Sequence, residues 1–222
     1  MAKEWAWSFS KKKNYDTCPK RHYEIDVLKN FVEDTEQLTW GNEVHKALAD
    51  ACSGKAPLPE TMKAYQKWVD EIADASKPGR VLVEQKFAVT RDLKPTQYFA
   101  PNVWYRGICD VARVAEPVAV ARDWKTGKVK HNSVQLMLMA ACLFIHMPAL
   151  QRIQTDFIWL QEDCKTTDTW SREQIMRELT VLIPEVNAME QAYKTLTFPP
   201  KPSGLCRKWC PVSSCPFYKK GV

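Results

Sequence analysis

No apolar run in this 222-residue chain is long enough to cross a bilayer: the longest, Leu136 to Ile145, has ten residues, where a membrane helix needs roughly 20. The segment Met1 to Lys13 also lacks the apolar core of a secretory signal and runs into Lys11-Lys12-Lys13. The expectation is therefore a cytoplasmic protein with no membrane partner. Internal repeats and low-complexity linkers are absent, which leaves one large domain or one domain with small appendages. No helicase motif is visible, so any unwinding would come from a partner or a ring-like assembly. After Glu190 there is no acidic residue, against six basic ones (Lys194, Lys201, Arg207, Lys208, Lys219 and Lys220).

What is present is ordinary in bulk: 45% hydrophobic and 26% charged residues, as in soluble globular proteins. The net charge is +6, and Lys11, Lys12, Lys13, Lys20 and Arg21 make the start basic as well as the end. Such asymmetry suits a polyanion, most commonly nucleic acid; solubility alone would explain it equally well. In a reducing compartment, clustered cysteines point to a metal or an iron–sulfur cluster before a disulfide framework. Of the eight cysteines, Cys52, Cys109, Cys142 and Cys164 are scattered and read as core residues. Cys18, Cys206, Cys210 and Cys215 stand apart.

Periodicity predicts an amphipathic helix over residues 39–52, with Trp40, Val44, Ala47, Leu48 and Ala51 at helical spacing. A second helix is predicted over 59–76 and ended by Pro78-Gly79. The period then changes to two: strands are expected around Val81 to Val89, over 104–114 and over 118–125. A helix from about Ser133 to Ile145 and a strand over 152–160 follow. The last long helix starts at Ser171, with Gln174 completing a capping box, and Pro184 should kink or split it. This order predicts an α/β fold around one mixed sheet flanked by helices, preceded by N-terminal helices and ending in a Cys-rich tail.

Asp123 and Lys125 are two apart on a strand and share a face, with Ala119 and Ala121 leaving space beside them. A carboxylate can bind a hard divalent cation, and a neighbouring ammonium can orient water or steady charge on a phosphate. A strand-end ion pair would look the same. Asp110 lies on the preceding strand, after Gly107, where the backbone or a ligand can approach closely. Two adjacent carboxylates repel unless a cation lies between them, although one could pair with Lys125 instead. His45 sits at the edge of its helix's apolar stripe, as a ligand or as a buried structural histidine.

In sum these stretches resemble the RecB-type branch of the PD-(D/E)xK nuclease superfamily, which includes CRISPR-associated adaptation exonucleases and phage recombination nucleases. Ser8-Phe9-Ser10 and Cys18-Pro19-Lys20-Arg21 resemble its opening motif. Gly41-Asn42-Glu43-Val44-His45 resembles its Gly-x-x-x-His helix, and Gly107-Ile108-Cys109-Asp110 its Gly-x-x-Asp strand. Asp123-Trp124-Lys125-Thr126-Gly127-Lys128 resembles its Asp-x-Lys-Thr-Gly core, with Gln135 at the position of a following helical glutamine. The resemblance implies a restriction-endonuclease-like core in a single domain over residues 1–222. It implies Mg²⁺ or Mn²⁺ bound by His45, Asp110, Asp123 and the Trp124 backbone carbonyl. Lys125 would position or activate the attacking water, and Gln135 would orient Lys125 or the DNA, so that Asp110, Asp123, Lys125 and Gln135 form the catalytic set. Arg21, Lys128 and Lys130 are assigned to DNA binding. Met139 departs from the pattern, which often has tyrosine there.

The same branch includes members in which one early and three late cysteines hold a [4Fe–4S] cluster, a four-thiolate site. Cys18, Cys206, Cys210 and Cys215 would do so here, in a subregion made of residues 1–25 and 198–222. Three and four residues separate the last three cysteines, where those members usually have two and five. A four-thiolate zinc site is the alternative, and four unliganded thiols the third reading. Nine tryptophans are many for this length; Trp5, Trp7 and Trp209 lie near basic residues and could stack on bases, although packing is the commoner role. The expected function is metal-dependent DNA exonuclease action in recombination, repair or replication, with DNA as partner and a recombination or replication protein as a further one. The alternatives are a nuclease-dead DNA-binding or assembly protein of the same fold and a nuclease that trims DNA for CRISPR adaptation.

Overall fold

The computed structural model describes residues 5–31, 36–130 and 134–220. In chain order the helices α1 (Phe9–Thr17) and α2 (Pro19–His22) lead into a π-helical turn (Tyr23–Val27), followed by α3 (Glu36–Cys52). The helix predicted over 59–76 is instead a 3-10 segment, Glu60–Tyr65, running into α4 (Gln66–Ala73). Strands β1 (Arg80–Val89), β2 (Pro95–Thr96), β3 (Tyr105–Ala115) and β4 (Val118–Lys125) precede α5 (Val134–His146). Strands β5 (Arg152–Trp159) and β6 (Cys164–Ser171) then precede α6 (Arg172–Thr195) and the short α7 (Leu205–Lys208). The predicted start of α5 at Ser133 lies outside the described residues.

The six strands form one sheet in the order β2-β1-β3-β4-β5-β6. Only β4 and β5 run parallel, so the sheet is mixed, and α/β architecture of the restriction-endonuclease-like kind follows. Two strands had no counterpart in the sequence reading. β2 is two residues long, and β6 is a polar edge strand whose burial alternates between exposed and half-buried, so neither carries the apolar alternation that marks a strand.

The chain forms two compact units, one from residues 36–179 and one from residues 7–31 with 180–220. In the first, neighbouring residues of β4 reach opposite sides of the sheet. Arg122 donates to the Trp68 carbonyl of α4 at 3.0 Å, whereas Asp123 meets Gln135 at the start of α5. On the α3/α4 side, Val44, Leu48, Trp68, Val69 and Ile72 pack with Val111, Trp124 and Ile158. On the other side α5 is buried from Leu136 through Phe144, which accounts for its almost unbroken apolar sequence.

In the second unit Ser8 caps α1, and His22, fully buried, binds Asp26 through Nδ1 (2.8 Å) and the Tyr193 hydroxyl through Nε2 (2.5 Å). Tyr23 stacks on Phe198 with centroids 4.4 Å apart. At the start of α6, the Ser171 N–H donates to Gln174 Oε1 (2.7 Å) and the Gln174 N–H to Ser171 Oγ (3.2 Å), the predicted capping box. Pro184 does not split the helix, which runs unbroken for 24 residues; proline removes one donor from the ladder while the flanking turns keep theirs.

Candidate metal centre and cysteine cavity

The β3–β4 ladder pairs Val111 with Arg122 and has no register pair beyond them at the end where Asp110 and Asp123 lie. Here the Asp110 side chain replaces the ladder: its Oδ2 accepts the Trp124 N–H at 2.8 Å. Trp124 itself buries its indole in the core on the other side of the strand. The splaying brings two carboxylates to one strand end, as the spacing of the sequence motifs predicts.

Asp123 is buried. Its Oδ1 accepts from Gln135 Nε2 (2.5 Å), and Gln135 Oε1 in turn accepts from Lys125 Nζ at 2.9 Å. Lys125 Nζ also lies 2.5 Å from Asp123 Oδ2, a close ion pair. The ammonium thus partly neutralises a buried carboxylate. The same ammonium rests over the Phe157 ring, 4.7 Å from its centroid. Burial, joined by repulsion from Asp110 and opposed by Lys125 and His45, pushes the Asp123 carboxyl up to about 6.

His45, on α3, places Nδ1 3.3 Å from Asp110 Oδ2. Burial pulls its pKa down, but Asp110, Asp123 and Glu84 outweigh that and the net direction is upward. Ligand atoms of His45, Glu84 and Asp110 all lie within 4.8 Å of one another, and among the described residues this is the one such grouping of three or more His, Cys, Asp or Glu. The structure thus brings His45 and Asp110 together with Glu84, while the Asp123 carboxylate stands outside that grouping and turns to Gln135 and Lys125.

Glu84 was missed by the sequence reading. It occupies a left-handed backbone conformation, φ 48°, between the register pairs Val83–Val111 and Gln85–Cys109. Burial and the Asp110 carboxylate push its pKa up. The available signal was its being the one acid in β1. Together with His45, Gly41, Asn42 and Thr126, it lines an open groove along α3. Gly107 does not open space for a ligand: the Tyr105 ring fills the place a side chain would take, its hydroxyl 3.0 Å from that point. Lys128 and Lys130 are exposed in the segment after β4, in the same unit as the acidic cluster.

Cys18, Cys206, Cys210 and Cys215, from both ends of the chain, line one cavity of the second unit with Arg21, Lys20 and Lys201. All four are free thiols and half-buried. The Lys201 N–H points to Cys18 Sγ (3.3 Å) and the Ser203 N–H to Cys206 Sγ (3.5 Å). Burial raises the Cys210 thiol, reinforced by Cys206 and Cys18 and opposed by Arg21. Arg21 donates to Asn14 Oδ1 at 2.8 Å. Of the cysteines expected in the core, Cys52, Cys109 and Cys142 are buried, with burial lifting Cys52 to about 11 and Cys142 to about 12. Cys164, at the start of edge strand β6, is only half-buried. Of the singled-out tryptophans, Trp7 is buried and Trp209 is 71% exposed.

A sequence model of the PD-(D/E)XK nuclease superfamily matches residues 6–216. No curated protein matches the chain. Among solved structures, a candidate exonuclease from Eubacterium rectale is similar in fold, with TM-score 0.54 and 9% identity over 88% of this chain and 84% of that one. The crystal structure of SSO0001 aligns with 98% of this chain and 89% of its own at 13% identity and TM-score 0.46.

Proposed function

Because the chain belongs to the PD-(D/E)XK nuclease superfamily, we propose that it is a divalent-metal-dependent deoxyribonuclease acting on DNA ends. The observation that carries the metal reading is the His45–Glu84–Asp110 grouping, whose ligand atoms lie within 4.8 Å of one another. The buried Asp123 carboxylate is close enough to Asp110 and His45 to act on them electrostatically. An imidazole and three carboxylates are a donor set for Mg²⁺ or Mn²⁺. We assign His45, Asp110 and Asp123, with the Trp124 carbonyl, as the ligands, and add Glu84. When bound, such an ion supplies Lewis acidity to the phosphate and lowers the pKa of water.

The remaining work falls to the protein. Asp110 fixes the end of β4 by accepting the Trp124 N–H, so that Asp123 and Lys125 keep one geometry. Gln135 bridges the two and holds the ammonium over Phe157. From there Lys125 can donate to an attacking water or to a non-bridging phosphate oxygen as charge develops. The new bond from the water oxygen to phosphorus forms as the scissile P–O ester bond breaks; the water's proton passes to solvent, and the departing sugar oxygen takes up a proton and leaves as a hydroxyl. Lys128 and Lys130, and Arg21 in the other unit, are assigned to the DNA backbone.

The motif set Gly41–His45, Gly107–Asp110 and Asp123–Lys128 favours the RecB-type branch, and with it a cytoplasmic role in recombination, repair or replication. Action from ends is favoured by the same resemblance and by the name of the Eubacterium rectale protein. For the cysteines we favour a [4Fe–4S] cluster over zinc. The resemblance of these four positions to those of the cluster-holding members carries that preference.

The direct test is digestion of linear DNA labelled at one end, with Mg²⁺ or Mn²⁺ and with a chelator. The expected result is metal-dependent release of label, abolished in Asp123→Ala and slowed about 10²–10³-fold in Lys125→Ala. Equal behaviour of wild type and Asp123→Ala would sink the enzyme reading and leave a DNA-binding protein of the same fold.

A further inference from the structure

Beyond the acidic grouping, β1 and β3 carry an exposed patch that the catalytic reading does not use. Lys86 is registered opposite Ile108, and Ala88 opposite Arg106, two to four residues outward from Glu84 and Asp110. Lys86 is near enough to Glu84 to act on its carboxyl electrostatically. Its Nζ lies 5.6 Å from the Tyr98 ring centroid and 6.0 Å from that of Phe99. Arg106 closes the cluster: its Nε donates to the Tyr98 carbonyl at 2.7 Å, and its guanidinium sits 5.6 Å from the Tyr98 ring.

The aromatic tip is ordered and outward-facing. Tyr98 and Phe99 meet edge to face with centroids 5.1 Å apart, and the Ala100 N–H donates to the Gln97 carbonyl at 3.0 Å. Phe99 is nonetheless 81% exposed, and Ile108, two residues before Asp110 on β3, is 45% exposed. A single exposed apolar residue is unremarkable in general. An exposed phenyl ring beside Lys86, packed edge to face on a tyrosine that Arg106 also contacts, next to the strands that carry Glu84 and Asp110, is a combination with a specific use. A phenyl face accepts any base, and adjacent cations accept the backbone, the pattern of single-strand binding sites. At ~3.3 Å per strand residue, Arg106 lies on the order of 13 Å from Asp110, a span of a few nucleotides.

We infer that Tyr98, Phe99, Lys86 and Arg106 form a subsite for an unpaired nucleic-acid strand running to or from the metal centre, with a base stacked on Phe99. This rests on the nuclease reading and narrows it to substrates with unpaired bases near the cleaved end. Duplex DNA is a poor ligand for the tip, because its bases are stacked on one another.

The test uses the full-length protein and a fluorescein-labelled oligothymidylate, with binding read by anisotropy in chelator and cleavage read with Mn²⁺. Phe99→Ala should weaken binding about tenfold and raise KM by a similar factor, with a smaller change in kcat. Phe99→Trp should restore both. One abasic position, moved stepwise from the end, should weaken wild type at a single register and leave Phe99→Ala indifferent there. If wild type cleaves but Phe99→Ala keeps the wild-type affinity and KM, the subsite is wrong and the nuclease reading stands. If wild type binds through Phe99 yet releases no nucleotide, the subsite stands and the nuclease reading falls. Absence of both binding and cleavage overturns both.

Discussion

Asp123 carries opposite demands. A carboxyl ordinarily titrates near 3.9, and burial with Asp110 repulsion lifts this one to about 6 despite Lys125. The folded protein therefore holds the proton more tightly than the unfolded chain does. The stability this confers is complete below about pH 4 and is lost as pH rises through about 6, leaving a buried anion that weighs on the fold by on the order of 2–3 kcal/mol. Asp123→Asn should accordingly raise the unfolding temperature of the metal-free protein at about pH 8, at roughly 2–4 °C per kcal/mol, and give no gain at about pH 4. Calorimetry in chelator at both pH values checks this; an equal shift at the two would show that Asp123 titration is not the cause. Glu84 makes a second residue-scale case. Its left-handed backbone inside a strand is an unfavourable conformation for glutamate, tolerated where the side chain must meet His45 and Asp110. Glu84→Gln should weaken Mn²⁺ binding by about 10–100-fold, read by calorimetric titration; unchanged affinity would remove Glu84 from the ligand set.

At the scale of elements, the sheet positions these residues through a buried charge network on its other side. Arg122, 2% exposed, meets Glu71 of α4 (2.6 Å) and the fully buried Asp156 of β5 (3.3 Å). Asp156 is further held by Thr167 of β6 and by Gln154. Asp156→Ala leaves Arg122 its Glu71 and Trp68 partners but removes a charge-assisted contact in the core and leaves Thr167 without its acceptor. It should therefore destabilise the protein by about 1.5–3 kcal/mol in urea unfolding; a loss well under ~1 kcal/mol, as for an exposed pair, would mean that water reaches the site. This network also shows where sequence reasoning stops. β1, β3, β4, β5 and α5 were legible because each is apolar on a period of two or in one long run. Asp110, Asp123, Lys125 and His45 were legible because charged groups interrupt those runs at fixed spacing. β6 was not: an edge strand buries too little to need an apolar face. Glu84 was not, because its role depends on a backbone conformation that leaves no mark in hydrophobic pattern. The partners of Arg122 were not, since they come from two elements, α4 and β5, on either side of it and far apart in sequence.

For the molecule as a whole, the question is what keeps the last segment folded. Beyond Ala192, Val212 is the only fully buried apolar residue among those described, so the segment has almost no core of its own. Cys18 and the three late cysteines nevertheless line one cavity, with backbone N–H groups already directed at two of the sulfurs. Ligation there ties residues from opposite ends of the chain and closes a loop of nearly its whole length. Such closure removes more unfolded-state entropy than a short one, and binding energy becomes folding energy. Anaerobic purification should therefore yield protein with iron and acid-labile sulfide in equal amounts and little zinc. Cys210→Ser should lose that iron and expose Lys201, Arg207 and Lys208 to trypsin, while the unit built on residues 36–179 stays resistant. Stoichiometric zinc would replace the cluster by a mononuclear four-thiolate site. Wild-type protein free of both metals, with a tail as resistant as before, would show that Val212 and the Tyr23–Phe198 stack suffice to hold the chain ends.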